Sequence, residues 1–333
     1  MSTSEIAVKK ENANTDSKLS LFKKIKQFRE SNIILIIILV SVAMSFLSDS
    51  FASWSNIKAI MMSFATDGIV VIGMTIILIL GGMDLSVGAV ECLAMVVAGK
   101  LFLAGMNPWL ASLIGIAVAA GVGGLISWFV TKVHLSYFIT TLAFMTIARG
   151  VCYVITKGTP LSLITLPPSF KFIGQGSIAG IPFVIILFIV IVLISDYLVR
   201  KSTLIRKVFY TGSNEKAAIF SGINVNKVKV FVCVLTAALA GFAGIIYMAK
   251  FGAATPGFGN GVEMTAISAA VIGGASLNGG KGTILGAVLG IALLSLITSS
   301  LILLNVSVYW QDLVKGAILL LAVSLDMLSQ SKQ

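Results

Sequence analysis

The sequence predicts an all-α integral membrane protein, a polytopic bundle of about ten transmembrane helices. Three observations predict it. Of 333 residues, 57% are hydrophobic and only 11% are charged, where a soluble domain carries about 25% charged residues. The apolar residues gather in long runs, many near the ~20 residues that a helix needs to cross a bilayer. The basic residues cluster on alternate connections between those runs, as the positive-inside rule requires of a multi-pass chain.

Residues 1–32 are polar and rich in Ser, Asn and Lys, a composition expected of a disordered cytoplasmic tail. No cleavable leader is expected, because the first apolar run starts near Ile33 and no small-residue cleavage site follows before Trp54. The runs then fall at 33–47, 57–80, 85–99, 108–130, 137–155, 181–199, 228–250, 263–276, 283–304 and 309–328. Together they define one transmembrane domain, 33–328, with a cytoplasmic loop at 200–227 and a cytoplasmic tail at 329–333. The runs at 85–99 and 263–276 are short for a full crossing and are expected to tilt, break or re-enter.

With the N-terminus inside, ten crossings place 17 of the 24 basic residues on the cytoplasmic side. Seven of these lie between Lys9 and Arg29 and seven between Arg200 and Lys229, joined by Lys132, Lys281 and Lys332. The prolines agree. Pro108 and Pro182 fall at the first turn of a span, where a missing N–H costs nothing, and Pro160, Pro167, Pro168 and Pro256 fall in outer loops. Two glycine turns, Gly81-Gly82-Met83-Asp84-Leu85-Ser86-Val87-Gly88 and Gly273-Gly274-Ala275-Ser276-Leu277-Asn278-Gly279-Gly280, echo one another between spans, as the trace of an internal repeat would.

Several function classes are excluded. The net charge of +11 is not a nucleic-acid footprint, since the basic groups flank apolar segments without interleaved aromatics. Cys92, Cys152 and Cys233 sit inside apolar runs with no ligand spacing and are read as small buried hydrophobes. His134, the one histidine, follows Lys132 at a span end, and no nucleophile is spaced to use it. Gly280-Lys281-Gly282-Thr283 fails as a phosphate loop, because position 275 is alanine and glycine follows the lysine. An intramembrane enzyme is therefore the weakest reading. No metal site, catalytic residue or cofactor of the chain's own is expected.

The most informative segment is the loop at 210–225. Asn214 is a good N-cap and Glu215 suits a first turn. Ala217, Ala218, Ile219 and Phe220 favour a short helix, and Gly222 ends it as a C′ glycine. A helix of under two turns needs a surface to pack on, supplied either by its own bundle or by a groove on a cytoplasmic partner.

Asn214-Glu215-x-Ala217-Ala218-x-x-x-Gly222-Ile223-Asn224 resembles the coupling-helix motif of bacterial ATP-binding-cassette importer permeases, in the ribose, galactose, arabinose, xylose and autoinducer-2 branch. Gly82 to Gly88, Val271 to Gly282, Arg149-Gly150 and Tyr309 to Gly316 are similar to further motifs of that branch, in the same order along residues 30–328. Within the branch, ribose permeases are the nearest in resemblance. Two positions depart from the motif, Lys216 for a small residue and Ser213 for a second glycine.

The resemblance implies a permease fold of the vitamin-B12 importer type, with Asn214, Glu215, Ala217, Ala218, Gly222 and Ile223 as coupling residues. It implies a second permease copy or paralogue, a cytoplasmic ATPase using ATP and Mg, and an extracytoplasmic sugar-binding protein. It implies import of a ribose-like monosaccharide by alternating access across the inner membrane of a bacterium.

Charges inside spans are functional candidates by default. Asp84, Ser86, Arg149 and Glu263 are the candidates for translocation or gating, with Asp84 also suited to capping the helix it opens. Arg149 and Lys315 are expected to pair with acidic residues of neighbouring spans. Asp67 and Glu91 would serve the alternative, an ion-coupled secondary sugar transporter, although neither is expected beside a broken helix.

Overall fold

A computed structural model describes residues 30–330. The reading of a disordered tail at 1–32 lies outside the described residues up to 29, while 31 and 32 already belong to the first helix; that of a cytoplasmic tail at 329–333 lies outside them from 331, while 329 and 330 belong to the last helix. Thirteen α-helices follow in order within them: α1 (Ser31–Leu47), α2 (Trp54–Ile79), α3 (Val87–Leu103), α4 (Pro108–Trp128), α5 (Tyr137–Thr156), α6 (Pro168–Gln175), α7 (Phe183–Lys201), α8 (Thr203–Ser213), α9 (Glu215–Phe220), α10 (Val225–Phe251), α11 (Val262–Ile272), α12 (Ile284–Leu303) and α13 (Val308–Gln330). A π-helical turn, Phe129–Val133, prolongs α4. The only strands among the described residues are two-residue pairs: β1 (Leu161–Ser162) with β4 (Ala253–Ala254), and β2 (Ser177–Ile178) with β3 (Ile181–Pro182).

The chain is all-helical, and helices stand at each of the ten apolar runs. Six of them, α2, α4 with its π turn, α5, α7, α10 and α12, are long and apolar enough to cross a membrane. α1 and α11 are shorter apolar helices, and α3 has only 17 residues. The loop between α5 and α7 holds one helix that the apolar pattern does not reveal, α6, with Pro168 in its first turn rather than in a loop.

The core is built around α2 and α10. α10 packs along α2, α3 and α4, and it does so through small residues, which let backbones approach where lipid offers no hydrophobic drive for association. A Cβ on Gly123 would lie 2.4 Å from the Cys233 carbonyl, and one on Gly244 would lie 2.2 Å from that of Glu91. Most hydroxyls within the helices, among them Thr66, Thr75, Thr131, Thr156 and Ser300, donate to the carbonyl one turn back, so these groups are satisfied without water. Cys92, Cys152 and Cys233 are buried and free, in keeping with their reading as small hydrophobes.

α3 and α11 explain the two short runs. After α2 the chain turns at Gly81 and climbs without helical structure through Gly82–Ser86 before α3 begins. The loop after β4 descends along α3: the Cys92 thiol meets the Thr255 and Pro256 carbonyls at 3.3 Å, and the Gly88 and Gly259 backbones touch. α11 starts only there. Both helices are therefore partial, and their first turns face a common junction.

Candidate functional site

The loop at 200–227 folds as an amphipathic helix, a cap and a second, very short helix. In α8, Ile205, Val208 and Thr211 point inward, while Leu204, Arg206 and Tyr210 remain outside. Its end is pressed onto the bundle. A Cβ on Gly212 would sit 1.8 Å from the Ile79 carbonyl and 2.9 Å from the Gly280 nitrogen, and Gly280 itself donates its N–H to the Ile79 carbonyl at 2.8 Å. Gly279 in turn closes on the Gly212 carbonyl and on Gly81. The two echoing glycine turns thus meet each other, and the base of the cytoplasmic loop rests on both.

From that junction the chain reverses at Asn214, whose side chain accepts the Ala217 N–H at 3.0 Å, the N-cap expected there. α9 ends in a Schellman motif: Ile223 donates to the Ala218 carbonyl at 3.0 Å, and Gly222, at φ 79°, donates to Ile219 at 2.9 Å. Glu215 is paired with Lys229 of α10 at 2.8 Å. Ala218 is buried at 3% exposure, so it is the face by which α9 sits on the protein.

The opposite face is apolar and open. Ile219 is exposed, and Phe220 is 91% exposed. Beside it a groove of about 570 Å³ runs between α8 and α9, lined by Arg206, Lys207, Tyr210, Asn214 and Ala217 among others. Phe220 joins the coupling residues that the motif marks, through its exposure and not through the motif. Its signal in the sequence is an apolar pair, Ile219-Phe220, closing a short capped helix in a basic loop. Since φ 79° strains any residue with a side chain, Gly222→Ala should cost about 1–2 kcal/mol although open space surrounds the added methyl. It is expected to lower transport several-fold at unchanged membrane yield, read by uptake normalised to immunoblot.

The candidate gating residues separate into two groups. Asp84 and Ser86 bind each other just before α3: Asp84 Oδ1 accepts the Ser86 N–H at 2.8 Å and its hydroxyl at 2.6 Å. Asp84 thus makes an Asx turn onto the N-cap residue rather than capping the helix N–H groups. Arg149 and Glu263 lie around the α3–α11 junction. Arg149 Nη1 donates to the carbonyls of Pro256, at 3.0 Å, and Phe258. It holds the descending loop through backbone oxygens, not through the acidic partner expected. Lys315 likewise meets an acid on its own helix, Asp312 at 3.9 Å, rather than on a neighbour. Glu263 Oε1 accepts the Gly261 N–H at 3.3 Å.

Glu91 stands one turn from Gly88, beside the broken segment rather than away from it, because α3 starts late. It is fully buried, and neither carboxylate oxygen has a hydrogen-bond partner among the described residues. Asp67 accepts the Tyr247 hydroxyl at 2.6 Å. No cluster of three or more His, Cys, Asp or Glu suited to a metal occurs among the described residues.

Residues 56–323 match the family described as branched-chain amino acid transport system / permease component. The ribose import permease protein of Bacillus subtilis (strain 168) is 35% identical over 285 residues, 86% of this chain and 88% of its own. The D-allose transport system permease protein of Escherichia coli (strain K12) is 34% identical over 294 residues, 87% of this chain and 89% of its own. The L-arabinose ABC transporter permease protein of Azospirillum brasilense is 30% identical over 303 residues, 91% of this chain and 89% of its own. No solved structure matches the chain.

Proposed function

This chain belongs to the family described as branched-chain amino acid transport system / permease component, and on that premise we propose that it is the permease subunit of an ATP-driven importer of a ribose-like monosaccharide. It is a multi-pass inner-membrane protein. The similar relatives named for ribose, allose and arabinose support the sugar. The observation that carries the mechanism is α9, a capped helix with one buried face on Ala218 and an exposed Ile219–Phe220 face. A helix so short needs a surface to pack on; Ala218 meets the bundle, and we assign the exposed Ile219–Phe220 face to a groove on a cytoplasmic ATPase.

In this reading the ATPase holds ATP and Mg, and the permease holds neither. Closure of two ATPase domains pushes α9 through Asn214, Glu215, Ala217, Ala218, Gly222 and Ile223. The push reaches the spans at the Gly212–Ile79–Gly280 contact. Two permease copies, identical or paralogous, face each other across the path, and a sugar-binding protein delivers substrate from outside. α1, α3, α11 and α13 complete ten crossings, with α3 and α11 partial, both termini inside, and a fold of the vitamin-B12 importer type. Asp84, Ser86, Arg149 and Glu263 act in gating around the two partial helices.

One observation favours a second reading: Glu91, buried and unpartnered beside a broken helix, is where an ion-coupled transporter would place its protonatable group. Reconstitution with the cognate ATPase and binding protein separates the two. Labelled ribose is expected to enter only with hydrolysable ATP inside. Entry driven by a proton or sodium gradient without ATP would overturn the proposal, and leucine in place of ribose tests the solute class in the family's description.

A further inference from the structure

A cavity of about 520 Å³ opens between α2, α11, α12 and α13, away from the coupling loop. Its size is that of a small-molecule site. Part of its lining departs from the pattern of most of the bundle. Elsewhere the helical hydroxyls mostly bond to their own helix, and Thr265 of this lining donates to the Gly261 carbonyl, but the hydroxyls of Ser63, Ser295 and Thr298, which also line the cavity, make no hydrogen bond to another described residue. Ser295 is only 8% exposed. These hydroxyls line the cavity instead of bonding to a carbonyl of their own helix, so they are open to a hydrogen-bonding solute.

The other groups suit the same visitor. Asp67 reaches the cavity with its carboxylate oriented by the Tyr247 hydroxyl at 2.6 Å. Across from it Lys315 is drawn toward Asp312 at 3.9 Å. Both signs of charge are present, so the cavity does not select an anion. Val71, Leu294 and Leu319 add apolar wall. Hydroxyls and a carboxylate interspersed with apolar side chains suit a solute that carries hydroxyl edges and C–H faces.

Resting on the sugar-permease reading above, we infer that this cavity is a subsite for a neutral polyhydroxylated solute on the transport path, with Ser295, Thr298 and Asp67 as its hydrogen-bonding groups. The test uses the reconstituted complex with labelled ribose, allose and arabinose as probes. The double variant Ser295→Ala/Thr298→Val and the single variant Asp67→Asn are compared with Ser268→Ala, whose hydroxyl is already bound to the Met264 carbonyl at 2.7 Å. Maximal uptake by the first two is expected to fall about tenfold, while ATP hydrolysis stimulated by the loaded binding protein stays within about twofold, a split that loss of packing would not give. Ser268→Ala should keep both. Wild-type uptake in the cavity variants overturns the subsite and leaves the sugar-importer reading standing. A joint fall of uptake, hydrolysis and melting temperature assigns these residues to packing and also overturns it. If the unmodified complex imports none of the three sugars, the sugar reading fails and takes the subsite with it.

Discussion

Phe220→Asp is expected to abolish ATP-dependent uptake, by at least about 100-fold, at normal membrane yield. The side chain is 91% exposed at the end of a six-residue helix whose other face is already seated on Ala218, so removing it takes no contact from the core. What it removes is the aromatic anchor for the groove of a partner. Anchors of this kind carry about 2–4 kcal/mol on truncation, some 30- to 1,000-fold in affinity, and a buried carboxylate without a partner adds to the loss. Co-purification of the ATPase on the tagged permease should fall in parallel, and Phe220→Leu should retain part of it. Normal uptake by Phe220→Asp would take α9 out of the docking surface.

The elements most legible in the sequence are those where one local rule suffices. Asn214 and Gly222 announce a cap and a stop because capping needs only a side-chain oxygen and a residue free to take φ 79°, and both ends of α9 form as their chemistry dictates. The apolar runs reveal their helices for the same reason. What pattern alone leaves hidden depends on contacts between distant segments. Arg149 finds backbone carbonyls of a descending loop, and nothing in its own span says that a loop will descend. Asp67 finds Tyr247, 180 residues away. In an apolar chain every face of a helix looks alike, so neither the cavity behind α11 nor the late start of α3 beside Glu91 has a periodic signal. The glycine turns are visible as an echo, but their meeting is a tertiary fact.

That meeting makes the second large effect predictable. Gly212→Val is expected to lower both stability and uptake, the latter at least about tenfold, through a contact that no side chain can relieve. The added Cβ would stand 1.8 Å from the Ile79 carbonyl and 2.9 Å from the Gly280 nitrogen. Both are backbone atoms already bound to each other, so neither can rotate aside. Either α8 lifts from the bundle or α2 and the second glycine turn part. Overpacking of this kind costs about 1–3 kcal/mol, which a melt of the detergent-purified protein will register. Gly124→Ala, where the new methyl meets nothing within 4 Å, supplies the neutral control on another helix. If α8 only decorates the bundle, the valine protein should lose stability and still transport in proportion to what remains folded. If the Gly212 contact carries motion from α9 to α2 and α11, the folded remainder should hydrolyse ATP without moving sugar. Uptake per folded molecule distinguishes these outcomes, because the same displaced helix end is a packing defect in the first case and a broken transmission in the second.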